Sequence, residues 1–283
     1  MPPIAIALLL LSAILHTTWN LLLKQTDEKY IATWWSVLAG SLIFLPVLFF
    51  TGLPARETWF LLIMSVCVEV VYYALLSAAY NDSDFSLVYP LARGTAPAFI
   101  ALWSVWFLGE AFSPGGLVGL IIVVVGLLVV GGSGLFLTQE KPHVKGILLA
   151  LAIALLISIY STIDGAAVKQ TSALSYGVLV FFMAPVLTSP VVLKRFGWQR
   201  LTAVWKINQN RLIYIGLLTV CAYLLVLAAY TIAPISYSGA IREVSVVLGA
   251  FAGWKFLNEK MGGWRLIGSI VIFIGIMVIA FFG

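Results

Sequence analysis

Long apolar runs, separated by short polar segments, dominate the hydropathy pattern of the 283-residue chain. An α-helix needs about 20 mostly apolar residues to cross the hydrocarbon core of a bilayer. Ten segments meet this requirement, and we interpret them as spans 1 to 10 of an all-α integral membrane protein. Their approximate ranges are 4–23, 31–50, 59–80, 85–108, 115–136, 146–168, 174–193, 212–233, 236–257 and 264–282.

The two halves of the chain match when the first is shifted by about 149 residues. The matched residues keep their order along the chain, which chance would not give. They are Arg93 with Arg242, Glu110 with Glu259, Leu117 with Leu266, Gly119 with Gly268, and Gly126 with Gly275. We therefore predict two repeats of five spans, residues 1–138 and 146–283, joined by a loop at 139–145.

Five spans per repeat place the second repeat upside down relative to the first, with both termini on the same side of the membrane. Two inverted halves that move around a central site are the architecture of many secondary transporters. A receptor or a structural protein has no comparable need for this symmetry. The predicted architecture favours transport by alternating access, and it does not identify a solute.

The amino-acid composition supports the assignment as a membrane protein and argues against other classes of protein. Hydrophobic residues make up 62% of the chain and charged residues 10%, whereas soluble domains carry about 25% charged residues. The net charge of +5 includes no basic run interleaved with aromatics, so we expect lipid as a partner and no nucleic acid. Cys67 and Cys221 lie in apolar segments, where no disulfide framework is expected. The sequence has no phosphate-binding loop, metal cluster or nucleophile motif, so we expect no cofactor, no metal and no enzyme.

Charged and polar side chains inside the spans carry the candidate chemistry, because a charge at the bilayer centre costs at least about 2.5–3.5 kcal/mol. In span 1, His16, Trp19 and Asn20 share one helix face and either line a polar pocket or hydrogen-bond to neighbouring helices. In span 6, Tyr160 and Asp164 stand one turn apart. Asp164 is directed either into the same pocket or, being near the helix end, outward.

Span 3 carries Glu69, Tyr72 and Tyr73 on one helix face. Glu69 has no counterpart in the second repeat, where Thr219 aligns. We expect a mid-membrane carboxylate without a symmetry mate to carry protons or to bind a cation, and Asp164 is the second candidate for proton coupling. The alternative for Glu69 is a structural ion pair with an arginine.

Span 4 carries Arg93 between Pro90 and Pro97, which bend the helix. Arginine binds carboxylate or phosphate through two parallel hydrogen bonds, so we expect Arg93 in a site for an anionic group. Its repeat mate, Arg242, is followed directly by Glu243. Adjacent helical residues point about 100° apart, so we expect one of this pair in the site and the other bound to another helix. The alternative is that both arginines form buried salt bridges.

Several residues near the span ends favour structural roles. Glu110 and Glu259 precede glycine-rich turns, where a carboxylate caps the helix that follows or bonds a loop. The paired glycines of spans 5 and 10 allow close helix packing. Tyr80 and Tyr230, which match across the repeats, are candidate gates.

Each half ends in a Glu-bearing break followed by a glycine-rich span, "LGEAFSPGGLVGLIIVVVGLLVV" and "LNEKMGGWRLIGSIVIFIGIMVIA". These stretches resemble the EamA repeats of the drug/metabolite transporter superfamily, and the resemblance covers essentially the whole chain. The stretches "SLVYPLARGTAP" and "IREVSVV" look like those of bacterial members. The resemblance implies ten helices, a central cavity between the halves, transport without ATP, and cytoplasmic termini in a bacterial inner membrane.

The family resemblance and the distribution of basic residues predict opposite orientations of the chain in the membrane. With cytoplasmic termini, the inner loops carry only Arg56 and Lys169. The outer loops then carry Lys24, Lys29, Lys141, Lys145, Lys194, Arg195, Arg200, Lys206, Arg211, Lys255, Lys260 and Arg265. The positive-inside rule favours the reverse orientation. The sequence therefore predicts that both ends lie on one side and leaves that side open.

The mixture of both charge signs with aromatics favours a small zwitterionic or amphipathic metabolite, such as an amino-acid-like solute. Protonation of Glu69 or Asp164 would couple its transport to a proton gradient. A proton-coupled exporter of organic cations or drugs is the alternative, and it requires that Arg93 and Arg242 be consumed in salt bridges. A non-transporting membrane protein is the second alternative. For the oligomeric state we expect a monomer or a homodimer.

Overall fold

The computed structural model describes residues 1–82, 85–137, 144–248, 251 and 263–283, and in these ranges the chain is helical, with short turns and no strand. The helices of the first half are α1 (Pro3–Lys24), α2 (Lys29–Phe44), α3 (Leu48–Thr51), α4 (Trp59–Asp82), α5 (Phe85–Leu108) and α6 (Pro114–Leu137). Those of the second half are α7 (Val144–Val168), α8 (Ala173–Phe196), α9 (Trp198–Ile232), α10 (Ile235–Arg242) and α11 (Gly263–Phe282). Residues 244–248 are also helical.

Six helical stretches of the described chain are long and apolar enough to cross a membrane. They are Pro3–Leu23, Lys29–Thr51, Arg56–Leu76, Val144–Val168, Ala173–Phe196 and Trp198–Ile232. Shorter apolar stretches lie within α5, α6 and α11. The outer surface is apolar, and Phe49 and Phe50 are about nine-tenths exposed. A surface of this kind is stable in lipid, where apolar side chains face the solvent. The chain is therefore an integral membrane protein.

The second predicted span is interrupted at a proline. Helix α2 ends at Phe44, and a 3-10 turn at Leu45–Val47 separates it from α3. Pro46 lies within this turn and has no backbone N–H to donate, so the regular helix cannot continue through it. Gly52 then ends α3 with a φ of 72°, a conformation that favours glycine.

The sequence predicted a polar connection at residues 194–211, between spans 7 and 8, and the structure shows that this segment is not a loop. Helix α8 continues to Phe196, Gly197 reverses the chain with a φ of 72°, and α9 begins at Trp198. The first turns of α9 are amphipathic: Leu201 is buried against α2, and its carbonyl accepts a hydrogen bond of 2.9 Å from Trp35 Nε1. Their charged and amide side chains obscured this apolar stripe in the sequence.

The predicted ninth span, 236–257, is not one continuous helix. Pro234 precedes α10, as its position in the sequence indicated, and α10 ends after eight residues, where Glu243 forms a turn. All eight residues of α10 are buried. A short buried helix that ends in two charged residues therefore lies inside the bundle.

Close helix packing joins the two halves. Helices α1 and α2 pack on α9, α4 and α5 pack on α7, and α6 packs on α11. The Met1 amino group donates to the Gly283 carbonyl at 3.2 Å, so the two ends of the chain meet. Lys169 lies at the same end of the bundle, near Glu110. We call this end the terminal face. The opposite end, with the start of α9 and the ends of α1 and α8, is the basic face.

Candidate functional site

Five buried charged side chains from both halves form the central charged cluster. They are Glu69 on α4, Arg93 on α5, Asp164 on α7, and Arg242 and Glu243 at the end of α10. Each is at most 6% exposed. Charges buried this deeply are costly unless they are paired, hydrogen-bonded or offered to a ligand.

Arg93 is tied to both halves. Its Nη2 lies 2.9 Å from Nε2 of His16 on α1, and its Nη1 lies 3.4 Å from Oε1 of Glu243. Because the guanidinium can only donate, Nε2 of His16 accepts, and in a neutral ring the proton is on Nδ1. Arg93 therefore has protein partners in this conformation, which is the salt-bridge alternative that the sequence left open.

Arg242 and Glu243 are consecutive residues where α10 ends, and their side chains approach each other. The expectation that one of the pair binds another helix is met by Glu243, whose Oε1 contacts Arg93 on α5. Arg242 Nε lies 3.6 Å from Glu243 Oε1. Within the described chain, Nε and Nη2 of Arg242 have no hydrogen-bond partner. Arg242 therefore has donors to spare in the described structure.

Asp164 accepts hydrogen bonds from two tyrosines of the second half. The Tyr176 hydroxyl donates to Oδ1 at 2.7 Å, and the Tyr223 hydroxyl donates to Oδ2. Asp164 is fully buried, so the outward orientation considered from the sequence is wrong. Tyr176 and Tyr223 were not among the site residues predicted from the sequence. The available signal was that a tyrosine inside an apolar span needs a polar partner for its hydroxyl.

Glu69 is buried on α4, and its Oε2 has no hydrogen-bond partner among the residues that the structure describes. It lies within electrostatic range of Asp164, a carboxylate of the other half. Tyr160 lies within electrostatic range of both Glu69 and Arg242. Glu69 and Arg242, which each have polar atoms without a hydrogen-bond partner in the described chain, thus both interact electrostatically with this tyrosine.

A row of tyrosine rings connects the halves beside these charges. The Tyr72 ring lies 5.2 Å from that of Tyr73 and 5.9 Å from that of Tyr160, and Tyr160 lies 6.4 Å from Tyr223. The sequence predicted Tyr72, Tyr73 and Tyr160 as site residues, and the fold brings them together. Tyr160, in the middle of this row, is within electrostatic range of Glu69, Arg93 and Arg242.

The three residues predicted to share one face of α1 contact different partners. His16 contacts Arg93, and its ring makes an edge contact with Trp19 at 5.0 Å. Asn20 Nδ2 donates to the His16 carbonyl at 2.8 Å, one turn back on its own helix. The buried Nε1 of Trp19 has no partner in the described ranges. His16 and Trp19 therefore border the cluster, whereas the Asn20 amide is engaged locally.

The candidate gates are described in part. Tyr230 is fully buried, and its hydroxyl has no hydrogen-bond partner among the described residues. The side chain of Tyr80 and all of Glu259 lie outside the described residues. A separate apolar groove of about 350 Å³ lies between α5 and α6. It opens on the lipid-facing surface, where Trp106 is exposed, so we place the candidate solute site at the charged cluster.

Comparison with known proteins gives the same picture of the fold. A solved structure described only as a protein crystal structure superposes with a TM-score of 0.76 at 17% identity, covering 97% of this chain and 96% of that one. An uncharacterized transporter, YwfM of Bacillus subtilis (strain 168), is 21% identical over 249 residues, which are 86% of this chain and 81% of the relative.

The family match covers both halves separately. The sequence profile of the EamA-like transporter family matches residues 3–132 and again residues 144–281. Each matched range ends in one of the two glycine-rich helices, α6 and α11, whose sequences carried the resemblance. The chain therefore belongs to the EamA-like transporter family.

Proposed function

We propose that this protein is a secondary active transporter of small zwitterionic or amphipathic, amino-acid-like solutes. The carrying observation is that Arg242 and Glu69, of opposite charge and both buried, keep polar atoms without a hydrogen-bond partner in the described structure. A solute carboxylate would satisfy the Arg242 donors, and a solute ammonium would satisfy Glu69. The tyrosine row would pack on the solute's apolar part.

Ten membrane spans in two inverted repeats are the architecture that suits this function. The packing of α1 on α9 has a counterpart in that of α4 on α7, as expected if α1 corresponds to α7 and α4 to α9. The meeting of Met1 and Gly283 supports termini on one side of the membrane. Movement of one repeat against the other would open the charged cluster alternately to each side of a bacterial inner membrane.

Proton coupling is proposed to involve Glu69 and Asp164. Asp164 is held by two tyrosine hydroxyls, whereas Glu69 has an oxygen with no partner in the described chain. Glu69 is therefore the better proton carrier, and its protonation would remove the charge that attracts the solute ammonium. The coupling would then link proton uptake to solute release.

Thermal unfolding of the purified protein tests this proposal. A solute that binds only the folded state stabilises it by about 2.7 kcal/mol at a hundredfold excess over Kd. Zwitterions should raise the Tm, Arg242→Gln should abolish the rise, and Arg200→Gln on the basic face should leave it unchanged. A rise caused only by organic cations, and abolished by Glu69→Gln, would overturn the zwitterion assignment.

A cation exporter is the second candidate, and one observation favours it. Arg93 is already engaged by Glu243 and His16, and the rings of Tyr72, Tyr160 and Tyr223 could bind a cation through their faces. Transport in proteoliposomes separates the candidates, because the protein should carry a labelled, permanently charged cation in one case and a labelled zwitterion in the other. Transport of zwitterions without transport of cations would exclude the cation exporter.

A further inference from the structure

The buried helix α10 is held at its start by a carboxylate from the other half of the chain. Glu110, in the loop after α5, accepts from the Ile235 N–H at 2.6 Å and, through its other oxygen, from the Ser236 N–H at 3.3 Å and hydroxyl at 2.7 Å. The sequence indicated two possible structural roles for Glu110, capping the helix that follows or bonding a loop. The first is wrong for α6, because the helix that Glu110 caps is α10.

This contact is needed because α10 has no cap of its own. The first N–H groups of a helix lack partners within the helix, and the residue before α10 is Pro234, which supplies no side-chain hydrogen bond. Glu110 is 125 residues away from Ile235 in sequence and supplies a charge-assisted cap. Lys169 Nζ lies 3.9 Å from the same carboxylate.

The rest of the loop also holds α10. The Ser113 N–H donates to the Tyr237 hydroxyl at 3.2 Å, and the Phe112 ring lies 5.6 Å from the Tyr237 ring. A Cβ on Gly116 would collide with the Tyr237 hydroxyl, so glycine is required for this approach. The loop and the first turn of α6 thus form a clasp on α10, defined by Glu110, Ser113 and Gly116.

The other end of α10 carries Arg242 and Glu243 of the central charged cluster. Eight residues of α-helix extend about 12 Å, so a shift of the first turn is transmitted along a rigid element to the charges. We propose that Glu110 is a positioning residue: its bonds across the repeats hold α10 where Arg242 and Glu243 meet Arg93 and a solute. Binding of a solute by these residues rests on the proposed function, whereas the clasp itself does not.

Thiol reactivity in the purified protein tests the clasp without any solute. Ser238, in the middle of α10, is fully buried, so Ser238→Cys in a Cys67→Ser/Cys221→Ser background should react slowly with maleimide. Adding Glu110→Ala should raise that rate about ten- to a hundredfold, the effect of losing a hydrogen bond to a charged group. Glu57→Ala, which removes an exposed carboxylate outside the clasp, is the matched control.

A second variant separates positioning from simple helix capping. Pro234→Asp, added to Glu110→Ala, gives α10 a carboxylate cap from its own chain without restoring the bond across the repeats. We expect hydrogen exchange of residues 235–236 to slow again while the Ser238→Cys thiol stays reactive. Recovery of both would overturn the positioning role, as would a Glu110→Ala protein that reacts no faster than Glu57→Ala.

The link to transport has its own readout. Glu110→Ala should raise the KM for the solute at least tenfold, and Pro234→Asp should not restore it. If no solute binds the unchanged protein, the proposed function fails while the thiol result still decides the clasp. Suppose instead that a solute binds and that Glu110→Ala makes the Ser238→Cys thiol more reactive. An unchanged KM in that variant would then show that Glu110 does not position the site.

Discussion

At the residue scale, the central charged cluster combines ion pairs with polar atoms that have no hydrogen-bond partner in the described chain. Arg93 and Glu243 form a buried ion pair, supported by His16. Breaking such a pair from one side leaves a buried charge without compensation, which costs more than the pair itself contributes. Arg242, Glu69 and Glu243 itself also retain polar atoms that no described residue satisfies with a hydrogen bond.

The Arg93–Glu243 pair predicts a specific double-mutant result. Arg93→Gln alone should lower the free energy of unfolding by up to about 3–5 kcal/mol, because buried Glu243 then keeps only Arg242 as a cationic partner. Arg93→Gln combined with Glu243→Gln should recover most of this loss, as measured by thermal unfolding in detergent. A double variant no more stable than the single one would show that the two charges are not coupled.

Replacement of Glu69 should give a transporter that is no longer coupled to protons. Glu69→Gln keeps the shape of the side chain but cannot exchange a proton, so a pH gradient should no longer drive solute accumulation in proteoliposomes. Exchange of labelled for unlabelled solute should continue. Accumulation that still follows the pH gradient would exclude Glu69 as the proton carrier and direct attention to Asp164.

At the element scale, glycines set the distance between α6 and α11. A Cβ on Gly119 would lie 2.9 Å from the Gly275 carbonyl oxygen, and a Cβ on Gly126 would lie 3.0 Å from that of Gly268. The two glycine pairs matched across the repeats therefore meet each other in the structure, which confirms their predicted packing role. Backbones approach this closely in membranes where small residues line the contact.

A larger side chain at this contact should separate the two helices. Gly119→Leu is expected to destabilise the protein by about 1–3 kcal/mol, the usual cost of overpacking. Val118→Leu changes the neighbouring residue, which is 52% exposed to lipid, and should have little effect. Equal Tm values for the two variants would mean that α6 and α11 separate without cost.

At the scale of the whole molecule, the exposed cations are distributed unevenly. Those of the basic face, in the described chain, are Lys29, Lys145, Lys194, Arg195, Arg200, Lys206 and Arg211. The terminal face carries Arg56 and Lys169, which lie near Glu57 and Glu110. Loops rich in lysine and arginine remain in the cytoplasm, so we expect the basic face inside and both termini outside.

Labelling from outside the cell decides this orientation. In a Cys67→Ser/Cys221→Ser background, Glu57→Cys on the terminal face should react with a membrane-impermeant maleimide in intact spheroplasts. Gln209→Cys, an exposed position on the basic face, should react only after permeabilisation. The opposite pattern would show cytoplasmic termini, which the family resemblance implies.

The apolar runs, the repeat and the buried charged residues were accessible from the sequence, because lipid requires long apolar helices and makes each buried charge conspicuous. The predicted boundaries agree with the helix ends at Phe85, Leu108 and Val168. They were wrong for the first turns of α9, because polar side chains there conceal a buried face. They were also wrong at Glu243, since a turn inside an apolar run has no compositional signal.

The pairing of the charges was decided only by the tertiary structure. Nothing in the spacing of the sequence assigns Arg93 to Glu243, the two tyrosines to Asp164, or Glu110 to the start of α10. These contacts join residues that lie outside each other's helix, from 12 to 150 positions apart in the sequence. Helix periodicity fixes which residues share a face, whereas the partner of that face depends on how the helices pack.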